Sequence, residues 1–423
     1  MKRKLPLRFF AGVDRGGEKH VVYVLDQTGK QVVEFEIVHS GAQQLELADR
    51  LQRTCGDPAQ LGVALEAPHG AVVEHLLERG FAVYAINPKQ LDRFRDRHSP
   101  AGAKDDSRDA RVLAGALRTD PDSFRLLEAE NPQTIELREL SRLDASLKRD
   151  FRRASNQLWE QMYRYYPQML ALCPAVDEPW VWALIKKAPL PAAGAKLTPG
   201  NIRHLLAAHR IRRITAEEVV AALRTTPLQV APGTAEAASR HALTLVPRLE
   251  LLFRQIQETG QSIESMLEAM ASDETETNGK HRDAAILLSL PGIGPVTGAT
   301  MLAEAAEPLR QRDYHALRCY AGTAPITRQS GKRRTVVMRR GCSPRLREAL
   351  FHSVSCHVQW DPHSQAQYDK LRAAGHGHAR AVRGVADRFL HLMVVLLKNG
   401  TLYDPQRRVA AQTIGAGCLS SKP

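Results

Sequence analysis

Acidic residues follow two apolar segments in the first part of the chain. Asp14 comes after the strand-like run at residues 7–13, and Glu66 comes after a second run at residues 61–65. Each run is typical of a buried strand, so each carboxylate should project from the edge of a sheet. If the two strands are neighbours, the two carboxylates come close enough to share a metal ion.

Two further acids, Asp106 and Asp109, lie near the start of a helix predicted over residues 104–117. Their spacing of three residues places both on one helical face. Asp105 lies four residues before Asp109, so it can share that face instead, and the choice between Asp105 and Asp106 stays open. A simpler role for these acids is a favourable interaction with the helix dipole, and Asp14 alone could be a turn residue.

The four acids Asp14, Glu66, Asp106 and Asp109 predict a metal centre when they are considered together. Converging carboxylates repel one another unless cations neutralise them, and Mg²⁺ prefers such oxygen ligands. A pair of such ions can activate a nucleophile and stabilise the leaving oxygen of a phosphodiester. By the same reasoning, Asp109→Asn should fold normally and be more stable than the wild type without magnesium.

A second candidate site lies in the last third of the chain, at a glycine-rich turn before a predicted helix. Gly292 and Gly294 would let backbone N–H groups approach a phosphate, as in a helix-hairpin-helix motif. The alternative is a tight turn between two core helices. The turn is Leu290-Pro291-Gly292-Ile293-Gly294-Pro295.

Basic residues then concentrate between residues 310 and 347, opposed there only by Asp313 and Glu348. A charge run of one sign favours a phosphate-binding surface. The residues predicted to contact nucleic acid are Gly292, Gly294, Arg328, Lys332, Arg333, Arg334, Arg339 and Arg340. Ser330 lies within the run, but its position before Gly331 is also that of an ordinary turn serine. A serine hydroxyl needs a base, a metal or a strong positive field to become a nucleophile.

Composition supports a soluble nucleic-acid-binding protein. The chain has 423 residues, a formal net charge of +13 and 43% hydrophobic residues. The positive charge favours phosphate-rich partners. Its cysteines lack zinc-ligand spacing, and we see no secretory signal and no apolar run long enough for a membrane span. We therefore expect a cytoplasmic protein without a membrane partner.

The elements predict three structured regions. Residues 1–125 should form an α/β domain whose three-stranded meander is followed by alternating helices and strands, the order of a ribonuclease H-like sheet. Residues 126–280 should form a helical arm with two heptad-spaced stripes, one from Leu140 to Met162 and one from Leu245 to Met270, which we interpret as a hairpin that also dimerises. The insert at 174–232 is not assigned. Residues 281–404 should form a mainly helical domain, and 405–423 a disordered tail.

The chain resembles the DEDD-type insertion-sequence transposases, also described as bridge-RNA-guided recombinases. The resemblance covers most of the sequence. Besides the acids and the Leu-Pro-Gly-Ile-Gly-Pro turn, it depends on Tyr320-Ala321-Gly322-Thr323-Ala324-Pro325, Gln329-Ser330-Gly331, Arg340-Gly341 and Leu346-Arg347.

This resemblance implies a RuvC-like nuclease domain whose metal ligands map to Asp14, Glu66, Asp106 and Asp109. It also implies a serine nucleophile, which maps to Ser330. The expected partners are double-stranded donor and target DNA, and a structured guide RNA that selects sequence by base pairing. The resemblance further implies a dimer or tetramer in which one chain's acids meet another chain's serine.

The residues leave three competing hypotheses. A resolvase-like nuclease would use the same acids with water as its nucleophile. An ATPase of the actin and sugar-kinase type also places an aspartate before glycine, as in Asp14-Arg15-Gly16, but we find no second phosphate loop. A non-enzymatic helix-hairpin-helix protein would bind DNA through its basic surface alone.

Overall fold

The computed structural model describes residues 7–66, 68–98, 105–129, 131–272, 282–331 and 333–406. The chain divides into two compact units, residues 1–131 and 132–423, and each is described separately. The finer division of the second unit into an arm and a terminal domain remains a prediction. Most of the predicted tail, residues 407–423, lies outside the described residues.

The first unit is built on a six-stranded mixed sheet with the order β3-β2-β1-β4-β5-β6. The first three strands form the predicted antiparallel meander, while β4 and β5 run parallel to β1. The short β6 was not predicted, and it pairs antiparallel to β5. The strands are β1 (Phe9–Arg15), β2 (Lys19–Asp26), β3 (Gln31–Val38), β4 (Leu61–Leu65), β5 (Ala82–Ala85) and β6 (Arg125–Leu126).

Helices cover both faces of this sheet, which explains why β1 and β4 are apolar nearly throughout. On one face, Val13 and Val63 pack with the first two helices, and on the other face Phe10 and Ala64 pack with the last two. The helices are α1 (Gly41–Cys55), α2 (Ala71–Glu78), α3 (Pro88–His98) and α4 (Asp106–Thr119). The sequence predicted α1, α2 and α4 but not α3.

The second unit begins with a long helical hairpin. Helix α5 (Pro132–Tyr165) carries the first predicted stripe, and α11 (Thr234–Ser272) carries the second. The helices run antiparallel, since the Phe151 and Phe253 rings lie 6.3 Å apart while Leu137 shares a cluster with Ile263 and Leu267. Most residues of both stripes are therefore packed within one chain, and dimerisation through them remains a prediction.

The unassigned insert at 174–232 folds into four short helices, which together with one short helix just before it share a core with the far end of the hairpin. Trp180 and Trp182 are buried at its centre, and the indole of Trp182 donates to the Val176 carbonyl over 2.7 Å. These helices are α6 (Gln168–Leu172), α7 (Pro179–Lys187), α8 (Pro191–Gly194), α9 (Pro199–Ala208) and α10 (Ala216–Leu223).

The remainder of the unit is mainly helical and packs around the last helix, from which Phe389, Leu390 and Met393 enter the core. The one departure among its described residues is a two-stranded ribbon. The elements are α12 (Asp283–Ser289), α13 (Pro295–Glu304), α14 (Ala306–Arg310), α15 (Tyr314–Tyr320), β7 (Ile326–Ser330), β8 (Arg333–Val337), α16 (Pro344–Trp360), α17 (Pro362–Ala373) and α18 (His378–Asn399).

Throughout the described ranges, we find no helix that is both long and apolar enough to cross a bilayer.

Candidate metal centre and basic ribbon

Strand pairing places Asp14 and Glu66 at the same edge of the sheet. Strands β1 and β4 are parallel neighbours, and Val13 lies opposite Leu65. The residues that follow these two, Asp14 and Glu66, therefore lie at the same height along the sheet. Arg15 connects the two segments, because its guanidinium donates to the carbonyl of His69 over 2.5 Å. The condition set by the sequence, that the two strands be neighbours, is confirmed.

Helix α4 brings the other two acids toward this edge. It crosses β1 at Gly12, where a Cβ atom would collide with the backbone of Ala110 and Ala114. Only glycine allows the strand and the helix to approach this closely. This close contact brings the first turn of α4 near Asp14. Asp106 and Asp109 both belong to that turn.

Asp105 has a different role from its neighbours in the structure. It is the N-cap of α4, with extended backbone angles, and its side chain accepts from the Ser107 N–H at 3.4 Å. An N-cap carboxylate satisfies one of the orphan donors of the helix start. This arrangement favours Asp106 over Asp105 as the member of the acidic group.

The pKa of Asp14 reports on how the four acids are arranged. Burial is the largest cause that raises it, followed by the charges of Asp109, Asp106 and Glu66, and together these bring the pKa to about 6. The positive charge of Arg95 acts in the opposite direction. Asp14 therefore experiences the charge of the other three predicted ligands.

Arg95, on α3, was not predicted from the sequence. Its guanidinium donates to both carboxylate oxygens of Asp109, at 2.6 and 2.8 Å, and its third nitrogen donates to Asp92 at 2.6 Å. The signal for its helix was present in Asn87-Pro88, since asparagine favours the N-cap and proline the first helical position. No sequence pattern indicates that Arg95 should face Asp109.

The residues present fit a site for divalent cations. They offer carboxylate oxygens at a partly open edge, and an arginine already supplies positive charge to one of them. The ligand atoms are not drawn together, however. Among the described residues, only Cys173, Asp177 and Glu178 place three potential ligand atoms within 4.8 Å of one another.

That tighter group in the helical insert is less suitable for an ion. Glu178 accepts from the Arg213 guanidinium with both oxygens, and also from the indole of Trp180 at 2.8 Å. The charge of its carboxylate is therefore already balanced. We assign the group to the packing of the insert.

Ser330 ends β7, in the second unit, and lies on the ribbon that it forms with β8. The register pairs Ser330 with Arg333 and Arg328 with Thr335. Cross-strand partners, and residues two apart along a strand, share one face of a ribbon. Ser330, Arg328 and Arg333 therefore lie on the same face, and all are exposed. Arg334 belongs to the opposite face, and Lys332 lies outside the described residues.

The basic run of residues 310–347 has two parts in the structure. Arg312, Arg318 and Arg345 form ion pairs with Asp283, Asp387 and Glu304, respectively. These acids lie outside the run, so only part of the run is left to form the single-signed surface that the sequence predicts. The reason is that folding brings in acids remote in sequence. Arg328, Arg333, Arg334 and Arg340 are exposed, while Arg339 is half-buried.

The glycine-rich turn lies between α12 and α13. Gly292 has a φ of +90°, and a Cβ there would collide with the Ser353 carbonyl and approach the His357 N–H at 2.9 Å, both on α16. Close packing therefore accounts for Gly292. Gly294 is the N-cap of α13, and space around it is open. Contact of this turn with phosphate remains a prediction.

Two family profiles match parts of the chain. Residues 11–167 match a DEDD-type profile described as a transposase, and residues 284–369 match one described as transposase of the IS116/IS110/IS902 family. A transposase-named protein of Sinorhizobium fredii is 47% identical over 209 residues, which span 49% of this chain and 58% of that protein.

Two relatives from Streptomyces coelicolor match nearly end to end. The protein named as a mini-circle transposase for IS117 is 31% identical over 96% of this chain and 97% of its own length. A 43.6 kDa protein of insertion element IS110 is 27% identical over 93% of this chain and 95% of its own length. By the first of these matches and by both family profiles, the chain belongs to the IS116/IS110/IS902 family of transposases.

Proposed function

We propose that the chain cuts and rejoins DNA strands during transposition of an insertion sequence, with Mg²⁺ held by Asp14, Glu66, Asp106 and Asp109. The observation that carries this proposal is the geometry of the sheet edge, where Asp14 and Glu66 follow paired positions of two parallel strands and α4, with Asp106 and Asp109 in its first turn, packs against β1 at Gly12. The strand order, with α4 against β1, supports a ribonuclease H-like, RuvC-like fold for the first unit. When bound, the ions would stabilise the charge that develops on the phosphodiester oxygens.

Ser330 is the proposed nucleophile. Its hydroxyl oxygen would attack phosphorus, forming a serine–phosphate bond while the bond to the 3′ oxygen breaks and a proton passes from serine to that oxygen. Reversal on a partner strand would release the serine and rejoin the DNA. Arg328 and Arg333, on the same ribbon face, would stabilise the negative charge that develops on the phosphate oxygens.

The remaining members of the proposed interface are Arg334, Arg339, Arg340, Lys332 and the turn at Gly292 and Gly294. They would bind the DNA backbone, which fixes orientation but carries no sequence information. Sequence choice would then come from a structured guide RNA, as the family resemblance implies, with two or four copies of the chain assembled on the DNA.

The experiment compares Ser330→Ala with Gln329→Ala in a strand-exchange assay on the element's ends. Gln329 is the adjacent residue on the opposite ribbon face, so it controls for damage to the ribbon. We expect Ser330→Ala to abolish exchange and Gln329→Ala to retain it. A Ser330→Ala protein that still recombines DNA would exclude the serine, and one that only cuts DNA would favour hydrolysis by a resolvase-like nuclease.

The ATPase and the purely DNA-binding hypotheses have less support. Membership of a transposase family offers nothing in favour of an ATPase. A purely DNA-binding role predicts that Asp14→Asn and Glu66→Gln leave strand cleavage and transposition unchanged. We expect both variants to bind DNA and to lose cleavage.

A further inference from the structure

Asp109 is the most buried of the four proposed ligands, with 2% of its surface exposed. Both of its oxygens accept from Arg95, one from Nε and the other from Nη2. This is the two-pronged geometry in which arginine binds carboxylates most strongly. Arg95 is therefore the counter-charge of Asp109.

The pairing conflicts with ion binding. A divalent ion at this edge would use the oxygens that Arg95 occupies, and arginine cannot lose its charge at any ordinary pH. A guanidinium and a divalent ion on one carboxylate repel each other. Arg95 therefore competes with a divalent ion for the oxygens of Asp109.

The released guanidinium would remain close to the site. Its third nitrogen is held by Asp92, a neighbour on the same helix whose side chain is 63% exposed. About a quarter of the Arg95 side chain is exposed, so its planar fork can reach a ligand from solvent. The oxygen atoms of a DNA phosphate fit the two-pronged geometry of the guanidinium. The negatively charged phosphate would reach the site together with the divalent ions.

We propose that Arg95 is an exchangeable counter-ion, which holds Asp109 in the ion-free chain and binds a DNA phosphate once a divalent ion takes Asp109. The inference depends on the metal centre proposed above. It makes ion binding without DNA weak, because Arg95 competes for the ligand. It also makes ion and DNA binding cooperative, and by linkage each should strengthen the other by the same factor.

The first experiment measures Mn²⁺ binding to the full chain without DNA by titration calorimetry. Arg93→Gln is the matched control, because Arg93 lies on the same helix, is exposed and carries the same charge. We expect Arg95→Gln to bind Mn²⁺ about tenfold more tightly than the wild type, within the usual range of such couplings. Arg93→Gln should bind like the wild type.

Arg95→Gln leaves Asp109 buried without its counter-charge and should melt at a lower temperature in metal-free buffer. If it does not fold, Arg95→Lys keeps the charge and removes the fork, and it should still bind Mn²⁺ more tightly than the wild type. The double variant R95Q/D109N removes both charges and should restore the melting temperature while losing the gain in Mn²⁺ affinity.

A second experiment measures binding of a short DNA duplex with and without Mn²⁺. Mn²⁺ should tighten binding by the wild type and by Arg93→Gln, and clearly less by Arg95→Gln. Equal Mn²⁺ affinities for the wild type, Arg95→Gln and Arg95→Lys would overturn the inference. If the wild type binds Mn²⁺ through Asp14 and Arg95 has no effect, only this inference fails, whereas a wild type that binds no divalent ion removes the proposed metal centre as well.

Discussion

The acidic edge of the first unit and the basic ribbon of the second position their functional residues in opposite ways. Asp14 and Glu66 extend from adjacent buried strands, and α4 is fixed against β1 by a backbone contact at Gly12. Ser330 lies on two short strands whose residues are mostly exposed. An isolated two-stranded ribbon is marginally stable. The acids are therefore held in place by a buried core, whereas few ribbon residues pack against a core.

Loss of an acid from the preorganised edge should have the largest effect. Asp14→Asn or Glu66→Gln should lower strand cleavage at least about a thousandfold, since such residues act as one unit. Binding to a DNA duplex should persist, because the exposed arginines are untouched. Cleavage and duplex binding are measured on the same preparation, and a variant with near-normal cleavage contradicts the proposed metal centre.

Gly12→Ala tests the contact that positions α4. The added Cβ collides with backbone atoms of α4. We therefore expect the free energy of unfolding to fall by roughly 3 kcal/mol, which is the upper end of overpacking costs. Gly115→Ala is the control on the same helix, where a Cβ meets nothing within 4 Å. That substitution should stabilise the chain by about 1 kcal/mol, because alanine is the better helix former. Denaturant titration measures both.

The pH dependence of stability tests the repulsion within the acidic group. The pKa of Asp14 is raised from 3.8 to about 6 in the folded chain, so the folded state binds its proton more tightly than the unfolded state. The resulting stabilisation is fully present below about pH 3.8 and is lost as the pH rises through 6. In metal-free buffer, Asp14→Asn should therefore become more stable than the wild type above pH 6.

Magnesium should reduce that difference, because an ion bound by the acids stabilises the wild type and not Asp14→Asn. Melting temperatures with and without the ion measure the effect, and identical pH profiles for wild type and variant would contradict it. The structure also revises the expectation for Asp109→Asn. Because Asp109 is paired with Arg95, its loss should not stabilise the chain.

The ribbon should show the smallest effects. Arg328→Ala and Arg334→Ala each remove one exposed charge from opposite faces, so stability should change by less than about 0.5 kcal/mol. Replacing an arginine that contacts a duplex phosphate should reduce the slope of the salt dependence of binding by about one unit. Only Arg328→Ala, on the Ser330 face, should also slow strand exchange. Equal exchange rates for the two variants would argue against activation of Ser330 by the arginines on its face of the ribbon.

Much of the first unit was predictable because the sequence patterns that indicate its strands and helices are local. Apolar runs and glycine-containing turns indicated the meander, β4 and α4, and acids after such runs marked the sheet edge. Helix α3 was missed because its composition is dominated by charged residues, with Leu91 as the one fully buried side chain among residues 88–96. The insert was missed because its helices are short and bury their apolar residues against a distant part of the chain.

The order of residues alone specified the types and local positions of the chemical groups: carboxylates after strands, a serine in a basic run, and two long amphipathic helices. Which charges meet depended on the folded chain. Folding made Asp105 a helix cap, paired Asp109 with Arg95, and separated Arg312, Arg318 and Arg345 from the exposed arginines. Charge pairing depends on distance through space, and local patterns carry no information about partners that folding brings together from elsewhere in the chain.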